Sequence, residues 1–172
     1  DSAWVLLYLD LDGFKRVNDS LGHDAGDRVL RWVSEQLKAC LRPFDILARM
    51  GGDEFTALLD LEFPEQAAKI AEKLIERVSI CQQIDGLDIA LGASIGIATF
   101  PDCGANLDGL LRASDIAMYE AKQAHLRVAV YQAGHDETHL RRIGLIGDLR
   151  KACDRGEFRV LYQPKIDLRT KR

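Results

Sequence analysis

The chain has 172 residues, with 23 Lys+Arg against 27 Asp+Glu, a formal charge of −4 and 47% hydrophobic residues. That balance excludes a disordered chain and suits one domain with a sizeable core. Its mild acidity argues against a polymeric nucleic-acid partner, which calls for a basic stripe, but leaves room for a single nucleotide. The longest apolar run, Trp4 to Leu9, falls far short of the ~20 residues that span a bilayer. No signal-peptide pattern opens the chain, so a cytoplasmic location is expected, with any membrane anchorage left to regions outside it. Cys40, Cys81, Cys103 and Cys153 form no Cys-x-x-Cys pair and read as reduced thiols, buried or half-buried. His135 and His139 read as a solvated helix start rather than metal ligands.

Val5 to Leu9 is a continuous apolar run that predicts a strand buried on both faces, ending in Asp10-Leu11-Asp12. A short helical turn around Phe14 to Asn18 follows, then a Gly-rich stretch from Leu21 to Asp27. Val29, Leu30, Val33, Leu37 and Leu41 recur at helical spacing. Two apolar runs, Ile46–Met50 and Phe55–Leu59, flank Gly51-Gly52-Asp53-Glu54 and predict a hairpin. Pro64 and Glu65 open a second amphipathic helix. Ile89 to Phe100 reads as a strand, Asn106 caps a third helix, and Val128 to Tyr131 closes with a short strand. The sum is β-α-α-β-β-α-β-α-β, an α/β (α+β) sandwich with a mixed, largely antiparallel central sheet and flanking helices. A polar break at residues 132–136 separates a domain over 1–132 from a segment over 133–172. In that segment Leu140, Ile143, Ile146 and Leu149 form a helix stripe, and Phe158 to Pro164 reads as a strand.

Two acidic places carry the chemistry: the strand end with Asp10 and Asp12, and the hairpin turn with Asp53 and Glu54. If their strands are neighbours, three or four carboxylates converge at one sheet edge. Such a cluster makes sense around a hard divalent cation, Mg²⁺ or Mn²⁺, which takes carboxylate, carbonyl and phosphate oxygens. Glycines beside the turn let the backbone pass close to a ligand.

Arg49-Met50-Gly51-Gly52-Asp53-Glu54-Phe55 resembles the signature of the GGDEF family of diguanylate cyclases. Leu9-Asp10-Leu11-Asp12-x-Phe14-Lys15-x-x-Asn18-Asp19, Leu21-Gly22-His23-x-x-Gly26-Asp27, Ser94 to Ala98 and Ala113 to Lys122 stand in the same order and spacing as the family's other blocks. The resemblance implies a palm-like nucleotidyl cyclase fold over roughly residues 4–131. It also implies condensation of two GTP into cyclic di-GMP and pyrophosphate, across a homodimer in which each protomer presents one GTP. By the same resemblance, Asp10, Asp53 and the Leu11 carbonyl hold the metals. Asp53 or Glu54 lies near the 3′-hydroxyl, and Lys122 reaches the phosphates. Backbone N–H groups of Gly13, Phe14 and Lys15 receive the phosphates, while Asn18, His23 and Asp27 bind the substrate, with Asn18 and Asp27 reading the guanine edge. Arg42-Pro43-Phe44-Asp45 matches the family's Arg-x-x-Asp product-inhibition site, taken up by Arg42 and Asp45.

Gly156-Glu157-Phe158 and Tyr162 to Leu168 resemble the opening of an EAL phosphodiesterase domain, without its Glu-Ala-Leu motif. Leu126 stands where the family carries an arginine, and the family's N-terminal helices would precede Asp1. Two further readings stand beside the cyclase. One is a catalytically silent module that binds GTP or cyclic di-GMP and regulates a phosphodiesterase; the other is a structural or dimerisation domain. Turnover separates the first two, and nucleotide binding separates the last.

Overall fold

A computed structural model of the chain describes residues 3–84, 86–134, 145, 148–149 and 151–161. The apolar run near the start forms β1 (Ala3–Asp12), with Val5, Leu6, Leu7, Leu9 and Leu11 all buried. It is paired along both edges, and helices pack on both of its faces, so the strand needs no polar alternation along its core. Helices α1 (Phe14–Leu21) and α2 (His23–Cys40) follow, separated by Gly22 at φ +82°. The expected Gly-rich loop through Asp27 is thereby corrected. Only Gly22 breaks the chain, and Gly26 and Asp27 lie inside α2. Gly26 serves a packing purpose there, because a Cβ at that position would stand 1.9 Å from Asn18 Oδ1.

Strands β2 (Ile46–Gly51) and β3 (Glu54–Leu61) form the expected hairpin, and α3 (Gln66–Val78) begins just after Pro64-Glu65. The strand expected over 89–100 is shorter and begins at Gly92. Ile89 belongs instead to a small separate hairpin, β4 (Gln82–Ile84) and β5 (Leu87–Ile89). Then come β6 (Gly92–Phe100), α4 (Leu107–Gln123) and β7 (Val128–Val130). The Asn106 side chain caps α4 by accepting a 2.9 Å hydrogen bond from the Gly109 N–H.

The main sheet is mixed, in the order β2-β3-β1-β6-β7, antiparallel except for the parallel β6–β7 edge pair. On one face Val5, Leu7, Leu9 and Leu11 pack with Val29, Val33 and Leu37 of α2 and Ala71, Leu74 and Val78 of α3. On the other, Leu6 and Ala98 pack with Leu110 and Ala113 of α4. The approach of α4 is close. A Cβ on Gly96 would stand 2.0 Å from the Ser114 carbonyl oxygen and 2.1 Å from the Met118 nitrogen. Glycine at 96 is therefore required by helix-to-sheet distance.

The chain divides into two compact units, Asp1–Asp136 and Glu137–Arg172. In the second, residues 148–149 and 151–154 are helical. The helix ends at Gly156 (φ +66°), where the Glu157 N–H reaches back to the Ala152 carbonyl. The strand expected from Phe158 to Pro164 is not found in its described part. Phe158 to Leu161 are exposed and have no partner strand among the described residues, and an unpaired segment gains no ladder bonds. Tyr162 onward, His135, His139, Leu140, Ile143 and Ile146 lie outside the described residues. All four cysteines are free. Cys40 and Cys103 are half-buried as expected, whereas Cys81 and Cys153 are exposed, the former just beyond α3 and the latter on the terminal helix. No helix among the described residues is long and apolar enough to cross a membrane.

Gly96→Ala is expected to destabilise the fold by about 1–3 kcal/mol through overpacking against α4, measured as a lower urea midpoint. Gly51→Ala is the control: open space surrounds its added methyl, so its midpoint should stay close to that of the unsubstituted chain.

Candidate active site

The site is built at the end of β1. Antiparallel pairing sets Asp10 opposite Glu54 of β3 on one side and Ser94 of β6 on the other. Asp10 and Asp12, two apart, share one face of the strand. The β2–β3 turn is pinned to β1 by a 3.2 Å hydrogen bond from the Leu11 N–H to the Asp53 carbonyl. Arg49 tightens the turn from the other side. Its Nε and Nη2 donate to the Gly52 carbonyl at 3.0 and 2.8 Å, across a bulge between Arg49 and Gly51. Gly52 takes φ +52°, a left-handed conformation that suits glycine.

Lys122, near the end of α4, places Nζ in a hydrogen-bonded ion pair with Asp10 Oδ1 and 4.0 Å from Asp12 Oδ1. Ser94 Oγ donates to the Asp12 carboxylate at 3.2 Å. Burial pushes the Asp10 carboxyl above the usual carboxylate range. Lys122 pulls it back, and the charges of Asp53 and Asp12 add to the rise. For Lys122 burial works against the charge, but the pairing with Asp10 outweighs it and raises the ammonium's pKa. The site thus holds more negative charge than its one lysine neutralises.

The expected convergence brings Asp10 opposite Glu54 and near Asp12 and Asp53 at one sheet edge, but not into a tight cluster. Among the described residues no three His, Cys, Asp or Glu side chains form a metal-holding group. The Tyr8 hydroxyl donates to Glu54 Oε2 at 3.0 Å, and Ser94 donates to Asp12, so each of these two carboxylates has a hydrogen-bond partner of its own.

Beside this edge, Gly13 (φ +84°) turns the chain into α1, so Gly13, Phe14 and Lys15 stand at that helix's N-terminus; the Phe14 side chain is buried and the Lys15 side chain exposed. Asn18 on α1 meets the gap left by Gly26 on α2, while His23 and Asp27 are exposed on α2. Asp27 lines a cavity of about 410 Å³ with Arg31, Ser34, Glu35 and Arg49. A larger one, about 750 Å³, is lined by Lys38, Arg42, Asp45 and Arg49 among others. At its rim the Arg42 N–H donates to Asp45 Oδ2 at 2.7 Å, and the Asp45 N–H returns to the Arg42 carbonyl at 3.1 Å. Asp45 Oδ1 is buried without a hydrogen-bond partner among the described residues, so this wall carries an acceptor with capacity for a donor.

A model of the diguanylate cyclase GGDEF domain matches residues 1–127. The chain belongs to the GGDEF family. It is 40% identical over 167 residues to the bifunctional diguanylate cyclase/cyclic di-GMP phosphodiesterase MucR of Pseudomonas aeruginosa, an alignment that covers 96% of this chain and 24% of that protein. With the cyclic di-GMP phosphodiesterase NbdA of the same organism, identity is 32% over 165 residues, covering 95% of this chain and 21% of NbdA. An X-ray structure of an EAL/GGDEF domain protein from M. capsulatus is similar at a TM-score of 0.70 and 38% identity, covering 76% of this chain and 85% of that one. The chain spans less than a quarter of the length of these two curated relatives. Within this GGDEF domain, Tyr8, Arg49 and Ser94 make contacts that sequence reasoning missed. Tyr8 had a signal, because strand alternation puts it on the Asp10 face. Arg49 had none, since its partner is a backbone carbonyl.

Loss of the lysine leaves Asp10 with burial and two like charges. Its folded pKa lies above the unfolded value near ~3.9, so the folded state binds the extra proton and stability falls as pH rises through that window. Lys122→Met widens the window upward. The melting-temperature difference between Lys122→Met and the unsubstituted chain is expected to be small at pH 4 and to grow more negative towards pH 7, measured in metal-free buffer.

Proposed function

We propose that this GGDEF domain is a diguanylate cyclase that condenses two GTP into cyclic di-GMP with loss of two pyrophosphates. The observation that carries the reading is the Leu11–Asp53 hydrogen bond, which brings the Gly52-Asp53 turn against the Asp10 end of β1. Asp10 and Asp53, with the Leu11 carbonyl, would hold Mg²⁺ or Mn²⁺. The donor set is all hard oxygen, and the carboxylates of Asp12 and Asp53 near Asp10 add negative charge that a cation would neutralise. When bound, the metal polarises the phosphate oxygens and favours the 3′-alkoxide.

The chain's own residues do the remaining work. Backbone N–H groups of Gly13, Phe14 and Lys15 receive phosphate oxygens at the start of α1, and Lys122 adds a positive charge from α4. Asn18, His23 and Asp27 bind the substrate; Asn18 and Asp27 read the base, with the Asp27 carboxylate accepting from guanine N1–H and N2–H, donors that adenine does not offer in that pattern. Asp53 or Glu54 takes the proton of the attacking 3′-hydroxyl. Each 3′-oxygen forms a bond to the α-phosphorus of the other GTP while the bond to pyrophosphate breaks. Because one protomer offers only one reactant of each pair, two protomers meet face to face.

The cavity at Arg42 and Asp45 is assigned to product. Arginine fits guanine O6 and N7, and the unpartnered Asp45 Oδ1 fits the donors on the opposite edge.

A second reading is favoured by the alignments with MucR and NbdA, which run well past residue 127. On that reading residues 133–172 are the linker helix and opening strand of an EAL-like phosphodiesterase domain, and the GGDEF part regulates it by binding nucleotide. Leu126, exposed where the family carries an arginine, removes one phosphate contact and leans the same way. A cytoplasmic setting suits either reading.

Cyclic di-GMP formation from GTP and Mg²⁺, followed by chromatography, decides between the two. Specific activity is expected to rise with protein concentration, and Asp53→Ala is expected to lower turnover at least about a hundredfold while circular dichroism stays unchanged. A normal rate in Asp53→Ala would remove the catalytic assignment, and GTP binding without any turnover would favour the regulatory module.

Arg42→Ala is expected to keep the initial rate within about twofold and to raise the product level at which the reaction stalls. Binding of added cyclic di-GMP, measured by calorimetry, should weaken by about tenfold or more, the loss expected for one bidentate guanine contact. Equal inhibition of both proteins by product would remove the assignment.

A further inference from the structure

Tyr8 lies two residues before Asp10 on β1 and shares its face of the sheet. Across the ladders it stands opposite Thr56 of β3 and Gly96 of β6. Gly96 is where the α4 backbone descends onto the sheet, so the half-buried Tyr8 ring is laid between that helix and β3 with little freedom of direction. Its hydroxyl donates at 3.0 Å to Oε2 of Glu54, the diagonal neighbour across the β1–β3 pair. Burial first, then the Glu54 hydrogen bond and the charges of Glu54, Asp115 and Asp10, push the phenol well above its ordinary pKa. A hydroxyl donating to a carboxylate is one of the stronger kinds of hydrogen bond.

Glu54 is the first residue of β3, next to the exposed Gly51-Gly52 turn. A glutamate at a strand end has three rotatable side-chain bonds and an open path to water. Resting on the reading that this edge is the cyclase site, we propose that Tyr8 is a positioning residue whose hydroxyl holds the Glu54 carboxylate on the Asp10 face of the sheet. One carboxylate oxygen is tied by the bond. The other is kept for the reaction, and the negative charge of Glu54 stays next to Asp10, where it strengthens the field on a divalent cation.

The test is a double-mutant cycle on the full chain with Tyr8→Phe, Glu54→Gln and the pair. Tyr8→Phe removes one oxygen and leaves the ring packed under α4. Two quantities are measured: turnover with GTP and Mg²⁺, and Mn²⁺ affinity by electron paramagnetic resonance in the presence of a non-hydrolysable GTP analogue. Tyr8→Phe is expected to lower kcat by about tenfold, the scale of a lost hydrogen bond to a charged group, with KM for GTP within twofold. Mn²⁺ binding is expected to weaken severalfold, and that effect should disappear in the Glu54→Gln background. Equal weakening in both backgrounds, or unchanged Mn²⁺ affinity in Tyr8→Phe, overturns the proposal and makes Tyr8 a packing residue. An unsubstituted chain without turnover overturns the cyclase reading instead, and the Mn²⁺ cycle then decides Tyr8 by the same two outcomes.

Discussion

Strand β1 is hydrogen-bonded along both edges, and the two registers of that pairing set almost everything else in the first unit. The β3 register delivers Glu54 and the Asp53 turn to Asp10; the β6 register delivers Ser94 to Asp12 and Gly96 to Tyr8. A slip of one residue on either side would turn each of these side chains to the opposite face. Alternation protects against that slip. Val5, Leu7, Leu9 and Leu11 fill the face under α2 and α3, so the polar residues at 8, 10 and 12 have one place to go.

The second controlling distance lies between α4 and the sheet. The absence of a side chain at Gly96 lets the helix backbone settle onto β6, and that settlement carries Lys122 to Asp10 at the helix's far end. Core packing and site electrostatics are here one constraint. The same α4 residues that bury Leu6 and Ala98 fix where the ammonium can reach. Burial outweighs the lysine's pull, with a smaller addition from the charges of Asp53 and Asp12, which is why Asp10 keeps a raised carboxyl despite its partner.

Much of this was legible in the sequence, for physical reasons that differ by element. The β1 run, the amphipathic stripes of α2 and α3 and the glycine-rich turn before Glu54 are local patterns, and they formed where they were read. The small β4–β5 hairpin was missed although Asp85-Gly86 is a hairpin-turn pair, because its strands are only three residues long and Ile89 was read into the longer strand that follows. The start of α2 was misplaced for a different reason. Gly26 looks like a loop residue in isolation, and only the approach of Asn18 explains its place inside a helix. At the site, the acidic residues were legible from chemistry and motif spacing. Their hydrogen-bond partners were not, because Tyr8 and Ser94 hold Glu54 and Asp12 through contacts 46 and 82 residues apart in the chain.

The Lys122–Asp10 pair joins positions separated by 112 residues, and this span has a consequence for the order in which the molecule comes into being. Asp10 lies near the start of the chain, but its neighbours arrive late: the turn partner with β3, the second ladder with β6, and the compensating charge only with the last turn of α4. During synthesis from the N-terminus, a growing chain that lacks α4 holds clustered acids with no cation of its own beside them. Pairings so distant in sequence also close slowly. The site is therefore complete only with α4 docked on Gly96, and a truncated product ending before that helix carries the acidic edge without the charge that balances it.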